Sequence, residues 1–172
     1  MKNLLDTLVE ILFNSVMIAM TVYVILSLLT LTSWAGDIPH NEKVVASTIL
    51  AEARGEGEAG MYAVGCVILQ RSINNKLSPD KVCFQKYQFS CWNNTKNVDT
   101  YSKLLDTKEG KYAQILAIYI IQSHKDNKKY LDLNSTGNAT HYYSTKSMNN
   151  PPYWAKGLKP VKVIKNHSFY KL

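Results

Sequence analysis

Residues 51–56 read Ala-Glu-Ala-Arg-Gly-Glu at the close of an apolar helical run, so Glu52 stands where a helix gives way to a glycine-rich turn. A carboxylic acid in that position can serve as a general acid. Val44, Val45, Thr48 and Ile49 recur at helical spacing just upstream and would cover one side of it. Partial burial favours the protonated form of a carboxyl group, the form that can donate a proton near neutral pH. Gly55 and Gly57 would end the helix and let the backbone pass close to a ligand. Glu56 and Glu58 are nearby, as helpers or as a second carboxylate, but the glycine turn leaves their direction open. The plain alternative is a solvated glutamate at a helix end, since charged side chains are mostly exposed.

The elements around this turn follow from periodicity. A first helix starts at Asn41 or Glu42 and carries Glu52 at its far end. A second runs from about Ala59 to Ile73; Ala63, Cys66, Val67 and Gln70 define one face and Met61, Val64 and Ile68 another, so it is apolar nearly all round and reads as the central buried helix. Residues 74–100 lack helical periodicity, and Asn74-Asn75, Pro79-Asp80 and Asn93-Asn94 mark loops. A third helix spans about Glu109 to Ser123. From Tyr130 the pattern turns extended and predicts two short strands, over Thr140–Ser144 and within Pro160–Tyr170. The fold class is α+β.

The chain has 172 residues and a formal net charge of +7. From Ile11 to Thr32 it carries no charge, and as a helix this stretch would rise about 33 Å, close to the hydrocarbon thickness of a bilayer. Residues 1–35 are therefore expected to be one hydrophobic helix acting as a signal anchor. Ser33-Trp34-Ala35 would also suit a leader peptidase, and a buried core helix is the third reading. Residues 36–172 form one domain, with a charge of about +8 once Lys2, Asp6 and Glu10 are set aside. A basic body favours polyanions. Its lysines are scattered, however, and its only arginines are Arg54 and Arg71, which argues against specific recognition of nucleic acid.

Three blocks fall in one order: Ala51 to Gly60 followed by Val67-Ile68-Leu69-Gln70-Arg71; Tyr87-Gln88-Phe89-Ser90-Cys91-Trp92; and Ala139-Thr140-His141-Tyr142-Tyr143 with Pro151-Pro152-Tyr153-Trp154-Ala155 and Asn166-His167-Ser168-Phe169-Tyr170. Together they resemble the cell wall hydrolase family of the spore-cortex-lytic enzyme type, in the short form carried by bacteriophages and Gram-negative hosts. The resemblance implies a small lysozyme-like domain whose substrate is peptidoglycan. It also implies lytic transglycosylase chemistry at the bond between N-acetylmuramic acid and N-acetylglucosamine, with Glu52 as the single acid and base and Glu56 shaping the turn. Gln88, Phe89, Ser90, Trp92, Thr140, His141 and Tyr142 would build the sugar groove, with Tyr143 a further stacking ring. Each aromatic among them has a bland counterpart as a core residue.

Such an enzyme works outside the cytoplasm, which places the body on the periplasmic side of the inner membrane, held there by residues 11–32, or free in the periplasm. In that oxidising setting Cys83 and Cys91 would bridge a short loop and stabilise it by about 2–3 kcal/mol, leaving Cys66 unpaired; three free thiols are the alternative. His40, His124, His141 and His167 show no paired ligand spacing, so neither metal nor other cofactor is expected. Muramidase-type hydrolysis of the same bond, with a second carboxylate, is the alternative within this chemistry, and two other functional classes compete. A tethered glycan-binding module would not need an acid at Glu52, and an amidase or peptidase would need a zinc set or a Cys-His pair.

Overall fold

The computed structural model describes residues 38–148 and 150–172, together with Ser15, Ile18 and Met20. The chain divides into two compact units, 1–38 and 39–172. In the first, Ser15, Ile18 and Met20 are helical; the expected span 11–32 otherwise lies outside the described residues, as does most of the leader 1–35. Among the described residues no helix is long and apolar enough to cross a membrane.

The second unit is built on three helices. Helix α1, His40–Ala53, starts directly after Pro39, where the Lys43 amide bonds the Pro39 carbonyl at 2.9 Å. Helix α2, Gly57–Asn75, is the central one: from Gly60 to Ser72 only Tyr62 and Gln70 are not fully buried. It ends in a left-handed residue, Lys76, with φ +53°. A short α3, Pro79–Cys83, and α4, Ser102–Leu105, lead to α5, Lys108–Asp126. Thr107 caps α5 by accepting from the Gly110 amide at 3.1 Å, and Asn127 closes it at φ +50°. The 74–100 region, expected to be all loop, holds α3 and two single 3₁₀ turns, Ser90–Trp92 and Val98–Tyr101.

Three strands form one antiparallel sheet in the order β1, β3, β2: β1 His141–Ser144, β2 Lys162–Ile164 and β3 His167–Tyr170. The sequence predicts two. The stretch from Pro160 to Tyr170 instead folds back on itself at Lys165-Asn166, with Lys165 at φ +49°. A lysine in that conformation carries none of the glycine signal by which hairpins are read from sequence. Strand β3 is buried throughout, and Phe169 joins Ala63, Val67 and Ala139 to seat the sheet on α2. The body is thus helical with a small sheet, an α+β unit.

The bridge expected between Cys83 and Cys91 is not formed; both are free thiols, as is Cys66. Cys83 is fully buried on α3, whereas Cys91 lies in the 3₁₀ turn whose backbone amide meets Glu52. Burial pushes Cys83 up to about 12 and Cys66 up to about 11, so neither is a thiolate near neutral pH. The loop is braced by other means. Trp92 Nε1 donates to Thr48 Oγ1 at 2.8 Å, Thr48 donates in turn to the Val44 carbonyl at 2.8 Å, and Tyr101 OH donates to the Cys91 carbonyl at 3.2 Å.

Thr48 is therefore the buried acceptor that fixes Trp92. Thr48→Val leaves an indole N–H unpaired in the core, and its cost is about 1–3 kcal/mol, a fall in Tm of about 3–10 °C. Thr48→Ser should recover most of it; thermal melts followed by circular dichroism check both, and equal Tm values for the valine and serine variants would refute the assignment.

Candidate active site

Helix α1 stops one residue past Glu52. Ala53 leaves the helical region at φ −140°, Arg54–Glu56 make a single 3₁₀ turn, and Gly57 takes φ +66°, where a side chain would be strained. This sharp exit leaves Glu52 half-buried at the end of α1 with its carboxylate turned toward two distant segments. Ser90 Oγ and the Cys91 amide donate to Oε1 at 3.2 and 3.3 Å, and Tyr142 OH donates to Oε2 at 3.1 Å. Burial and the adjacent Glu52 carboxylate push the Tyr142 phenol well above its ordinary value, so it remains a donor.

Glu56 is bound differently. The Asn166 amide donates to its Oε2 at 3.0 Å, and Asn166 Nδ2 reaches both oxygens at 3.0 and 3.1 Å. These bonds hold the carboxyl below its ordinary value, helped by His167 and Lys165, so it is an anion committed to the hairpin turn between β2 and β3. Gly60 makes this arrangement possible. A Cβ there would meet the Glu56 Cβ at 2.2 Å, so only glycine lets the side chain fold against the first turn of α2.

Between these groups lies an open cleft of about 620 Å³. Of the residues predicted from sequence, Glu52, Glu56, Gln88, Ser90 and Tyr142 line it, and Tyr143 does also. Phe89 and Trp92 do not: both are core residues, with Trp92 edge-on to Phe84 and Tyr101. Thr140 is buried, its hydroxyl shared between His141 Nδ1 at 3.0 Å and the Leu172 amide at 3.2 Å. His141 lines a neighbouring cavity of about 270 Å³ together with Thr140 and Gln88. Glu58 is exposed and outside the cleft.

Among the lining residues that the sequence does not single out are Arg71, Tyr87, Trp154 and His167. Arg71, buried on α2, donates to the Thr140 carbonyl at 2.6 Å and the Gln88 carbonyl at 3.5 Å, with its guanidinium 5.1 Å from the Phe89 ring centre. One side chain thereby ties β1 and the Gln88 loop to the same helix. Its signal in the sequence is an arginine within an otherwise apolar helix. Tyr87 is 76% exposed at φ +61°, a backbone conformation that carries strain in a tyrosine, and Trp154 stands across the cleft packed on His141 and Tyr170. His167 is buried, its Nδ1 without a hydrogen-bond partner among the described residues and its ring 5.1 Å from that of Tyr142. Burial holds His167 below its ordinary value, so it is neutral at pH 7. Among the described residues no three His, Cys, Asp or Glu side chains gather as a metal-ligand group.

One comparison with known proteins is informative. A family profile described as Cell Wall Hydrolase matches residues 55–170, beginning just beyond Glu52 and taking in Glu56, the Gln88 to Trp92 block, β1 and the hairpin. Searches of curated proteins and of solved structures give no match.

The Glu56 contacts carry a pH signature. Because the folded carboxyl lies below its ordinary value, its stabilisation is fully present above the usual carboxylate range and is lost as pH falls through the lower, folded value. Glu56→Gln should lower Tm at pH 7, and the gap to the unaltered chain should close as pH is taken toward about 3. A gap of constant size in Tm measured from pH 7 to 3 would refute an ionised Glu56.

Proposed function

The chain belongs to the cell wall hydrolase family, whose substrate is peptidoglycan, and on that premise we propose that it cleaves the glycan strand as a lytic transglycosylase with Glu52 as the only acid and base. The observation that carries this reading is the state of the two carboxylates in the cleft. Glu56 has both oxygens occupied by Asn166, so it is not free to act as the nucleophile or water-activating base of a two-carboxylate hydrolase. Glu52 is held at one place by neutral donors from Ser90, Cys91 and Tyr142, which lets it give and take a proton without moving. The body is then a lysozyme-like domain in which one acid suffices.

The steps balance on that one group. Glu52 in its acid form protonates the oxygen joining N-acetylmuramic acid to N-acetylglucosamine, and the bond from that oxygen to the anomeric carbon breaks. The Glu52 carboxylate then takes the proton from the muramoyl 6-hydroxyl as this oxygen bonds to the same carbon, closing a 1,6-anhydro ring and restoring the acid. Tyr87 and Trp154 offer rings for sugar faces within the cleft, and Gln88 offers an amide for acetamido groups. The Gln88 to Trp92 and Thr140 to Tyr143 segments favour the short phage and Gram-negative form, with lysis or genome delivery as its setting, and the uncharged stretch 11–32 would hold the body at the periplasmic face of the inner membrane.

Two measurements test this reading. Purified peptidoglycan incubated with the protein should release muropeptides one water lighter than their reducing counterparts by mass spectrometry, and Glu52→Gln should slow that release by about 100- to 10,000-fold. Reducing ends would mean hydrolysis, and product release that survives the Glu52 change would remove Glu52 from the chemistry. Separately, full-length protein should stay in the membrane pellet after carbonate extraction; its release into the supernatant would rule out the anchor.

A further inference from the structure

We propose that the cleft, through Arg54 and Lys146 in its lining, binds a carboxylate on the side arm of the muramic residue, carried by the stem peptide or by the lactyl group once the stem is removed. This rests on peptidoglycan being the substrate. Arg54 opens the 3₁₀ turn that follows the Glu52 helix, and Lys146 lies in the turn that follows β1. Sequence distance separates them, yet both are exposed and both line the same cleft as Glu52. Neither takes part in an ion pair among the described residues, where Lys43–Asp99 and Lys111–Asp106 are paired.

The carboxylates already in the cleft have partners of their own. Glu52 is met by Ser90, Cys91 and Tyr142, and Glu56 by Asn166. The third cation, Arg71, is turned inward onto two backbone carbonyls. Two exposed cations in the cleft lining therefore remain open to a ligand. The adjoining cavity is chemically different: apart from Arg71 its polar lining is amides, a hydroxyl and an imidazole, from Asn74, Asn75, Gln85, Gln88, Thr140 and His141. Outside the buried arginine, the lysine and arginine side chains lining these two cavities are Arg54 and Lys146, both in the cleft that holds Glu52. A glycan backbone of N-acetylated sugars has no charge, so within peptidoglycan the anion to match Arg54 and Lys146 is on the muramic side arm. Charge-assisted bonds from a guanidinium and an ammonium to a carboxylate are the stronger class of hydrogen bond, and they would set which strands are held.

The test measures binding by calorimetry to full-length Glu52→Gln protein, in which turnover is suppressed. The ligands are soluble glycan strands bearing stems, the same strands after amidase removal of the stems, and an uncharged chito-oligosaccharide. Changing Arg54→Gln and Lys146→Gln together should weaken binding of an anionic strand about tenfold relative to the chito-oligosaccharide, with a thermal melt confirming the fold. A loss confined to stem-bearing strands assigns the stem carboxylate, and a loss on the stripped strands as well assigns the lactyl group. Lys146→Glu should exaggerate the same ratio. Equal losses on all three ligands, or no loss on any, would overturn the proposal. Should the unaltered protein release no product from peptidoglycan while the binding ratio still shifts, the catalytic reading fails and this one stands.

Discussion

Everything at the site depends on how one half-buried carboxylate is satisfied. Glu52 stands at a helix end that could have been left to water, but its oxygens are instead met by donors 38, 39 and 90 residues further along the chain. A carboxylate withdrawn from water is costly unless its lone pairs are occupied, so the 90s turn and strand β1 must arrive at set positions. The core helix α2 ensures that they do. Arg71 takes the carbonyl of Thr140, just before β1, and the carbonyl of Gln88, just before Ser90, so both donor segments are referred to one rigid element. Burying an arginine is itself unfavourable, and here its N–H groups are spent on backbone oxygens and its face on Phe89. The cleft is the space left over once these connections are made.

The helical part of this arrangement is legible in the sequence because it is written in long apolar runs. Val44 to Leu50 and Met61 to Leu69 are largely apolar at helical length, and both runs form the buried helices that they announce. Glu52 is legible for the same reason, since a helix that stops at a glycine turn fixes where its last side chains project. Loop residues carry no such ruler. Phe89 and Trp92 lie within four positions of Ser90, yet the ring of each is in the core while Ser90 reaches the acid. The three cysteines are ambiguous in the same way, because spacing along the chain says nothing about where a sulfur points.

Two further features are backbone properties. The hairpin at Lys165-Asn166 and the exposed ring of Tyr87 both rest on non-glycine residues at positive φ, a conformation that sequence reading assigns to glycine and asparagine. Tertiary contacts select it here: Glu56 engages Asn166 so fully that the turn is specified from outside itself. Local preference and long-range bonding thus disagree at these positions, and such disagreements gather where a protein works rather than where it merely packs.

The bond between Glu56 and Asn166 spans 110 residues, and it sets an order of events during biosynthesis. Helices α1 and α2 are local structures able to form early on a nascent chain, and they bring the acid with them. The strand that holds Tyr142 and the turn that holds Glu56 follow their partners by 90 and 110 residues. Until these dock the acid has neither its hydroxyl donor nor its fixed turn, and the groove has one wall. Closing these long-range pairs is the slow entropic step of building the site, so the acid's surroundings are completed by the most distant contacts in the fold.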